Sequence, residues 1–243
     1  MLLDSTKTVR ELAIEIPNAT RIFEKIKIDY CCGGNQPLNE ACTQAGLEIE
    51  EVVNLLSQAE STVVCSETTT LQSLAQLADY IINKHHVFTR NELQRLSLLI
   101  EKVCSKHGAN HPELLQIKTE FQTLCAELAP HMMKEETILF PYIARLEAAE
   151  LQNAPAPFAP FGTVQNPIAV MMREHDAAGE ILKRKRALSN DFATPAGACI
   201  SYQTLYTALD ELEADLHRHI HLENNILFPR ALETEGALAN YGS

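Results

Sequence analysis

A chain of 243 residues with 46% hydrophobic and 21% charged side chains has the length for one large domain, or a small one beside a larger one, and the composition for a packed core. Its formal net charge of −12 excludes the basic stripes of a nucleic-acid surface. No run reaches the roughly 18 apolar residues of a membrane span. The opening Met-Leu-Leu-Asp-Ser-Thr-Lys also lacks the basic segment and apolar stretch of a secretory signal. A cytoplasmic protein with no membrane and no nucleic-acid partner is expected, its seven cysteines carried as thiols rather than as a disulfide framework.

Residues 1–58 read as a small helical domain. Thr8 is placed to cap a first helix, with Glu11 three positions on to complete a capping box. A second helix is expected through about Lys27, its face made of Ile22, Phe23 and Ile26. The turn Asp29-Tyr30-Cys31-Cys32-Gly33-Gly34-Asn35 follows, marked by its glycines. Short helices near 37–45 and 48–58 complete a unit too small to bury much apolar surface alone. It is expected to lean on the rest of the chain or on the second subunit of a homodimer. Residues 59–70 have no helical period and read as a linker. From 71 to 243 the chain is expected to be helical, in four amphipathic segments at about 71–106, 112–149, 166–189 and 196–232. The Ala/Pro-rich stretch 152–167 separates the second from the third. Four such segments predict an all-α fold, a four-helix bundle behind a small helical N-terminal domain.

One phrase occurs twice in the bundle. Residues 131–141 and 219–229 both read His-x3-Glu-x2-Ile-Leu-Phe-Pro. Residues four apart share a helix face, so each phrase projects an imidazole and a carboxylate side by side. His131 and Glu135 fall on the stripe Leu114, Ile117, Phe121, Leu124, Leu128, His131, Glu135, Ile138. His219 and Glu223 fall on Leu205, Leu209, Leu212, Leu216, His219, Glu223, Ile226. The first segment carries His86 on the stripe Ile82, His86, Thr89, Leu93, Leu96, with His85 as the alternative. The third carries His175 between Met171 and Ala178. His86 lies 45 residues before His131, and His175 lies 44 before His219, the signature of a duplicated two-helix hairpin. His85, His107, His111, His217 and His221 fall off the stripes and read as surface residues or supports behind the ligands.

Buried charges without a counter-charge cost several kcal/mol each, roughly, and a bound cation removes that cost. His86, His131, Glu135, His175, His219 and Glu223 therefore read as metal ligands. The set is too large for one zinc and too rich in nitrogen for calcium or magnesium. It suits two octahedral iron ions, each with two histidines, bridged by the two carboxylates and a small oxide or hydroxide. Manganese or mixed metals are the alternatives.

These stretches, together with Asp-Tyr-Cys31-Cys32-Gly-Gly and Glu-His175-Asp, give the chain a resemblance to hemerythrin-like di-iron proteins. The closer likeness is to the repair-of-iron-centres family, in which such a bundle follows a short domain with a vicinal cysteine pair. The resemblance covers nearly the whole chain, although the 152–167 loop is long for the family. It implies an oxo-type di-iron centre on the six residues, and restoration of iron–sulfur clusters damaged by nitric oxide or peroxide. Damaged iron–sulfur proteins and small diatomic ligands (nitric oxide, dioxygen) would be the partners. Reduction of nitric oxide, or carriage or sensing of nitric oxide or dioxygen, are the competing functions. Adjacent cysteines rarely join in a disulfide. A glycine-bounded turn ahead of a helix N-terminus is expected to lower a thiol pKa. The resemblance makes Cys31 and Cys32 the working thiols rather than buried packing residues, and Cys42, Cys65, Cys104, Cys125 and Cys199 are taken as packing residues.

Overall fold

The computed structural model describes residues 6–16, 18–60 and 73–240. The described residues are helical apart from turns and one isolated bridge between Thr8 and Pro37. Helix α1 (Val9–Glu15) starts where the capping box predicts: the Glu11 amide donates to Thr8 Oγ1 and the Thr8 amide donates back to Glu11. α2 (Ala19–Ile26) ends at Lys27, whose φ of 62° puts it in the left-handed region. α3 (Leu38–Ala45) ends at Gly46, φ 67°, a position that favours glycine. α4 is Ile49–Glu60. These four enclose a core of their own around Leu12, Phe23, Tyr30, Leu38 and Leu56. The expected linker at 59–70 lies, from residue 61 on, outside the described residues, as does Cys65.

Four long helices follow: α5 (74–107), α6 (113–151), α7 (Gln165–Leu188) and α8 (200–240). Helix α5 packs on α6 and α8, and α6 on α7. The fourth helix runs past the expected end at 232 because Thr234 and Leu238 are still buried. Glu235 also holds the start of α7, accepting from the Val164 amide at 2.9 Å and from Tyr142 Oη at 2.9 Å. Two apolar clusters fill the bundle. One runs through Leu96, Ile117, Phe121 and Leu209, the other through Leu77, Leu139, Ile143 and Phe228. In sequence, His86, Glu135, His175 and His219 fall between the two sets, and His131 and Glu223 stand at their borders, next to Met132 of the first and Leu222 of the second.

Three of the four long helices change pitch at that level. Ile81–His86, Glu135–Leu139 and Glu223–Leu227 are π turns, with the amides of Val87, Phe140 and Phe228 donating to carbonyls five residues back, Ile82, Glu135 and Glu223. Pro141 and Pro229 each stand just beyond such a turn. Their missing N–H falls where the ladder changes register, so the Phe-Pro of both phrases suits a π turn. This overturns part of the stripes drawn at constant pitch. Ile138, expected inside, is 48% exposed, and Leu139 is buried in its place. Ile82 and Ile226 are only half-buried while Ile81 and Leu227 are fully buried.

The N-terminal unit leans on its own bundle. Asn225 Nδ2 donates to the Tyr30 carbonyl at 3.0 Å, Arg10 donates to the Asn225 carbonyl at 3.4 Å, and the Tyr30 ring meets His221 edge-on at 5.3 Å.

The start of α5 is held by one side chain from α6. Glu147 accepts from the Leu74 amide at 2.6 Å, the Ala75 amide at 3.0 Å and Ser73 Oγ at 2.7 Å. Hydrogen bonds to a charged group contribute about 1.5–3 kcal/mol, so Glu147→Ala is expected to lower unfolding stability by roughly that amount. Denaturant unfolding is the measurement, and an unchanged midpoint would refute the role.

Candidate metal centre

Glu135 and Glu223, from α6 and α8, have no solvent exposure, and four histidines surround them at 0–3%. The structure brings together all six residues singled out from the sequence, in two groups. His86 and His219 form one imidazole pair, Nε2 to Nε2 at 3.1 Å, and His131 and His175 form the other, also at 3.1 Å. Each carboxylate is divided between the pairs. Glu135 Oε2 lies 3.4 Å from His86 Nε2, and its Oε1 lies 3.3 Å from His131 Nε2. Glu223 Oε1 lies 2.8 Å from His219 Nε2, and its Oε2 lies 3.1 Å from His175 Nε2. Each imidazole pair with both carboxylates forms a group of four donor atoms within 4.8 Å of one another.

Three of the four imidazoles are fixed from behind, by residues the sequence reading passed over. His86 Nδ1 meets Glu136 at 2.6 Å, His131 Nδ1 meets Glu174 at 2.8 Å, and His175 Nδ1 meets Asn224 at 2.9 Å. An Nδ1 so engaged leaves Nε2 to face the centre. Glu136 and Asn224 occupy the same place in the repeated phrase, one residue after its glutamate. The phenylalanine of the phrase has a matched role too: Phe140 stacks on His86 at 5.9 Å and Phe228 on His175 at 6.1 Å. For Glu136, Asn224, Phe140 and Phe228 the signal was available in the sequence, since they sit inside the repeated phrase; Glu174 lies outside it, next to His175.

His85 and His221, read as surface residues or supports, are both buried. His85 Nδ1 lies 3.0 Å from Asp215, and its ring stacks on His219 at 5.8 Å. His221 Nδ1 accepts from Asn225 Nδ2 at 2.8 Å, and burial, helped by the Arg10 charge, pushes its pKa down to about 4.

The electrostatics are those of an anionic site among bases. Burial, and for Glu135 the neighbouring Glu223 charge, opposes ionisation. The imidazoles nevertheless hold Glu135 below the usual carboxylate range and Glu223 well below it. Burial likewise works against a charged His131, but Glu135 and Glu223 outweigh it and raise its pKa to about 9. Both oxygens of Glu135, Oε2 of Glu223 and Nδ1 of His219 make no hydrogen bond among the described residues. Buried donor atoms of this kind are rare unless something else satisfies them. Converging imidazole nitrogens and shared carboxylate oxygens suit a pair of transition-metal cations.

Cys31 and Cys32 lie at the edge of this centre. Cys32 Sγ is 3.7 Å from the His175 carbonyl, and a Cβ added at Gly179 would come 3.7 Å from that sulfur. Asp29 Oδ1 gathers the turn, accepting from the Cys31 and Cys32 amides at 3.1 and 3.0 Å. The thiols are free, 3.9 Å apart. The expected lowering of the thiol pKa does not hold for Cys31. The hydrogen bond to Cys32, burial and the Asp29 charge all raise it, and the next helix begins only at Leu38. Cys42 and Cys104 are buried packing residues and Cys125 is half-buried. Cys199, expected to pack, is instead exposed, 3.1 Å from His107 Nε2.

A bundle with this donor set is a cation-binding domain of the hemerythrin kind, and residues 77–231 match the hemerythrin HHE cation binding domain. Residues 5–60 match ScdA_N, described as a domain of unknown function. Over 224 residues the chain is 38% identical to the iron-sulfur cluster repair protein YtfE of Yersinia pseudotuberculosis serotype IB (strain PB1/+) and to that of Yersinia pestis (strain Pestoides F), covering 92% of this chain and 96% of each relative. The chain belongs to the family of these iron–sulfur cluster repair proteins. No helix among the described residues is long and apolar enough to cross a membrane.

The raised His131 pKa gives metal removal a pH signature. A group whose folded pKa exceeds its unfolded value stabilises the fold below the unfolded value and loses that contribution as pH rises through the folded one. The window here runs from 6.5 to about 9. Metal-free protein is therefore expected to lose stability across that window. The loaded protein should not, since a metal replaces the imidazole proton. Denaturant midpoints across the window check this, and a flat profile without metal would contradict it.

Proposed function

We propose that His86, His131, Glu135, His175, His219 and Glu223 hold two iron ions, and that the protein restores damaged iron–sulfur clusters with the help of Cys31 and Cys32. The observation that carries the metal reading is the division of each carboxylate, one oxygen toward each imidazole pair. When bound, iron supplies redox chemistry and a store of metal for a depleted cluster. The protein's part is to hold four Nε2 atoms at one depth, to keep the two glutamates ionised in a dry core, and to exclude bulk water with Phe140 and Phe228. Cys32 supports the repair reading over a carrier of nitric oxide or dioxygen, and over nitric oxide reductase. Neither alternative needs a thiol against the backbone of His175. The client would be an iron–sulfur protein with a damaged cluster, and the free thiols suit a reducing compartment such as the cytoplasm.

Elemental analysis is expected to give two irons per chain with a charge-transfer absorption. Glu135→Ala and Glu223→Ala should each lose most of that iron, because either change opens both halves of the centre. His217→Ala should keep it. A single zinc, or equal loss in the His217 variant, would defeat the assignment.

Cys31→Ser/Cys32→Ser is expected to leave iron content and absorption intact while abolishing recovery of a nitric-oxide-damaged iron–sulfur enzyme. Full recovery with that variant would return both residues to packing and leave the function in the bundle alone.

A further inference from the structure

We propose that the cleft between the N-terminal helices and the bundle binds a small organic polyanion, a di- or tricarboxylate, through Arg10 of α1 and Lys84 and Arg218 of the bundle. The cleft has a volume of about 790 Å³, within the range of roughly 300–1,000 Å³ typical of small-molecule sites, which favour junctions between structural units. None of the six residues of the metal centre lines it.

The charge of the lining runs against that of the chain. The protein has 20 lysines and arginines against 32 carboxylate side chains. The cleft has Arg10, Lys84, Arg218 and Arg230 against Glu15, Asp215 and Glu233. Both signs are partly engaged: Glu15 pairs with Lys7 at 2.5 Å and Asp215 lies 3.0 Å from His85, while Lys84 Nζ donates to Tyr80 Oη at 2.6 Å and Arg218 lies 3.7 Å from Glu24. A concave surface lined by an excess of one sign focuses potential and draws in the opposite charge.

Arginine presents a planar fork of five N–H donors that matches a carboxylate. Arg10 directs one to the Asn225 carbonyl. Arg218 Nε donates to the Ala214 carbonyl at 3.2 Å and lies 3.7 Å from Glu24. Each guanidinium has further donors beyond these. The lining also carries apolar walls: Ile16 and Ile226 line the cleft, and Ile14 stands 49% exposed at it. An inorganic anion would leave those walls in water, whereas a carbon skeleton between carboxylates covers them. Arg10 belongs to one unit and Lys84 and Arg218 to the other, so a bound polyanion bridges them. Bridging favours the docked arrangement that sets Cys32 against His175.

The test is calorimetric titration of the full-length chain, metal-loaded and metal-free, with propane-1,2,3-tricarboxylate. This probe lacks the hydroxyl that makes citrate a strong iron chelator. One saturable site per chain is expected in both forms. Arg10→Gln and Arg218→Gln should each weaken it about ten-fold or more, and added salt should weaken it further. Circular dichroism verifies folding, and Lys84→Gln replaces either variant that fails to fold. Absence of saturable binding, unchanged affinity in the folded variants, or equal affinity for inorganic phosphate would each overturn the proposal. Heat of binding is read without any repair assay, so this result and the repair reading fail separately.

Discussion

Two fully buried carboxylates, each divided between two imidazole pairs, set the terms for the rest of the bundle. An ion withdrawn from water costs several kcal/mol, roughly, even after the protein relaxes. Two such ions lie within one core here, and the Glu223 charge itself works against that of Glu135. The arrangement holds only if positive charge sits between them, as imidazolium protons without metal or as cations with it. Four helices must therefore deliver their polar residues to one depth with apolar packing above and below. The two clusters, around Leu209 and around Ile143, supply that packing.

The π turns follow from the same demand. A helix of constant pitch that aims His131 and Glu135 inward would next aim Ile138 inward. The π turn instead buries Leu139 and leaves the aromatic of the phrase free to serve the neighbouring helix, Phe140 against His86 and Phe228 against His175. The duplication thus extends in its contacts to the residue after each glutamate, but it is not exact in charge. Glu136 holds His86 with an anion, whereas Asn224 holds His175 with an amide. An anionic partner makes an imidazole the more basic ligand. Each imidazole pair ends with one histidine backed by a carboxylate, His86 by Glu136 and His131 by Glu174, and one that is not.

The bundle and the six converging residues are legible in the sequence because both rest on repetition. Helical period gave the faces, and the repeated phrase with matched 44- and 45-residue spacings gave the depth. Features that are not periodic leave no such trace. A π turn shifts phase by one residue, so Ile82, Ile138 and Ile226 fall off the inward face although the six converging residues do not. Pairing of His86 with His219, and of His131 with His175, depends on how helices pack, which spacing within one helix does not encode. Supports such as Asp215 for His85 come from 130 residues away.

The cysteine pair shows why local chemistry alone is a poor guide to a thiol. A turn with two glycines suggests acidity, but acidity depends on what the folded turn touches. Asp29 accepts from both amides and from Cys31 Sγ at 3.3 Å, which fixes the turn and disfavours a Cys31 thiolate through its charge. The turn sets Cys32 toward the bundle, its sulfur on the side of α7 that carries His175. A β-methyl at 179 would stand 3.7 Å from that sulfur, an ordinary van der Waals contact. The distinction between the two cysteines is therefore geometric: Cys31 is buried, and Cys32 is the one that meets the helix of the candidate centre.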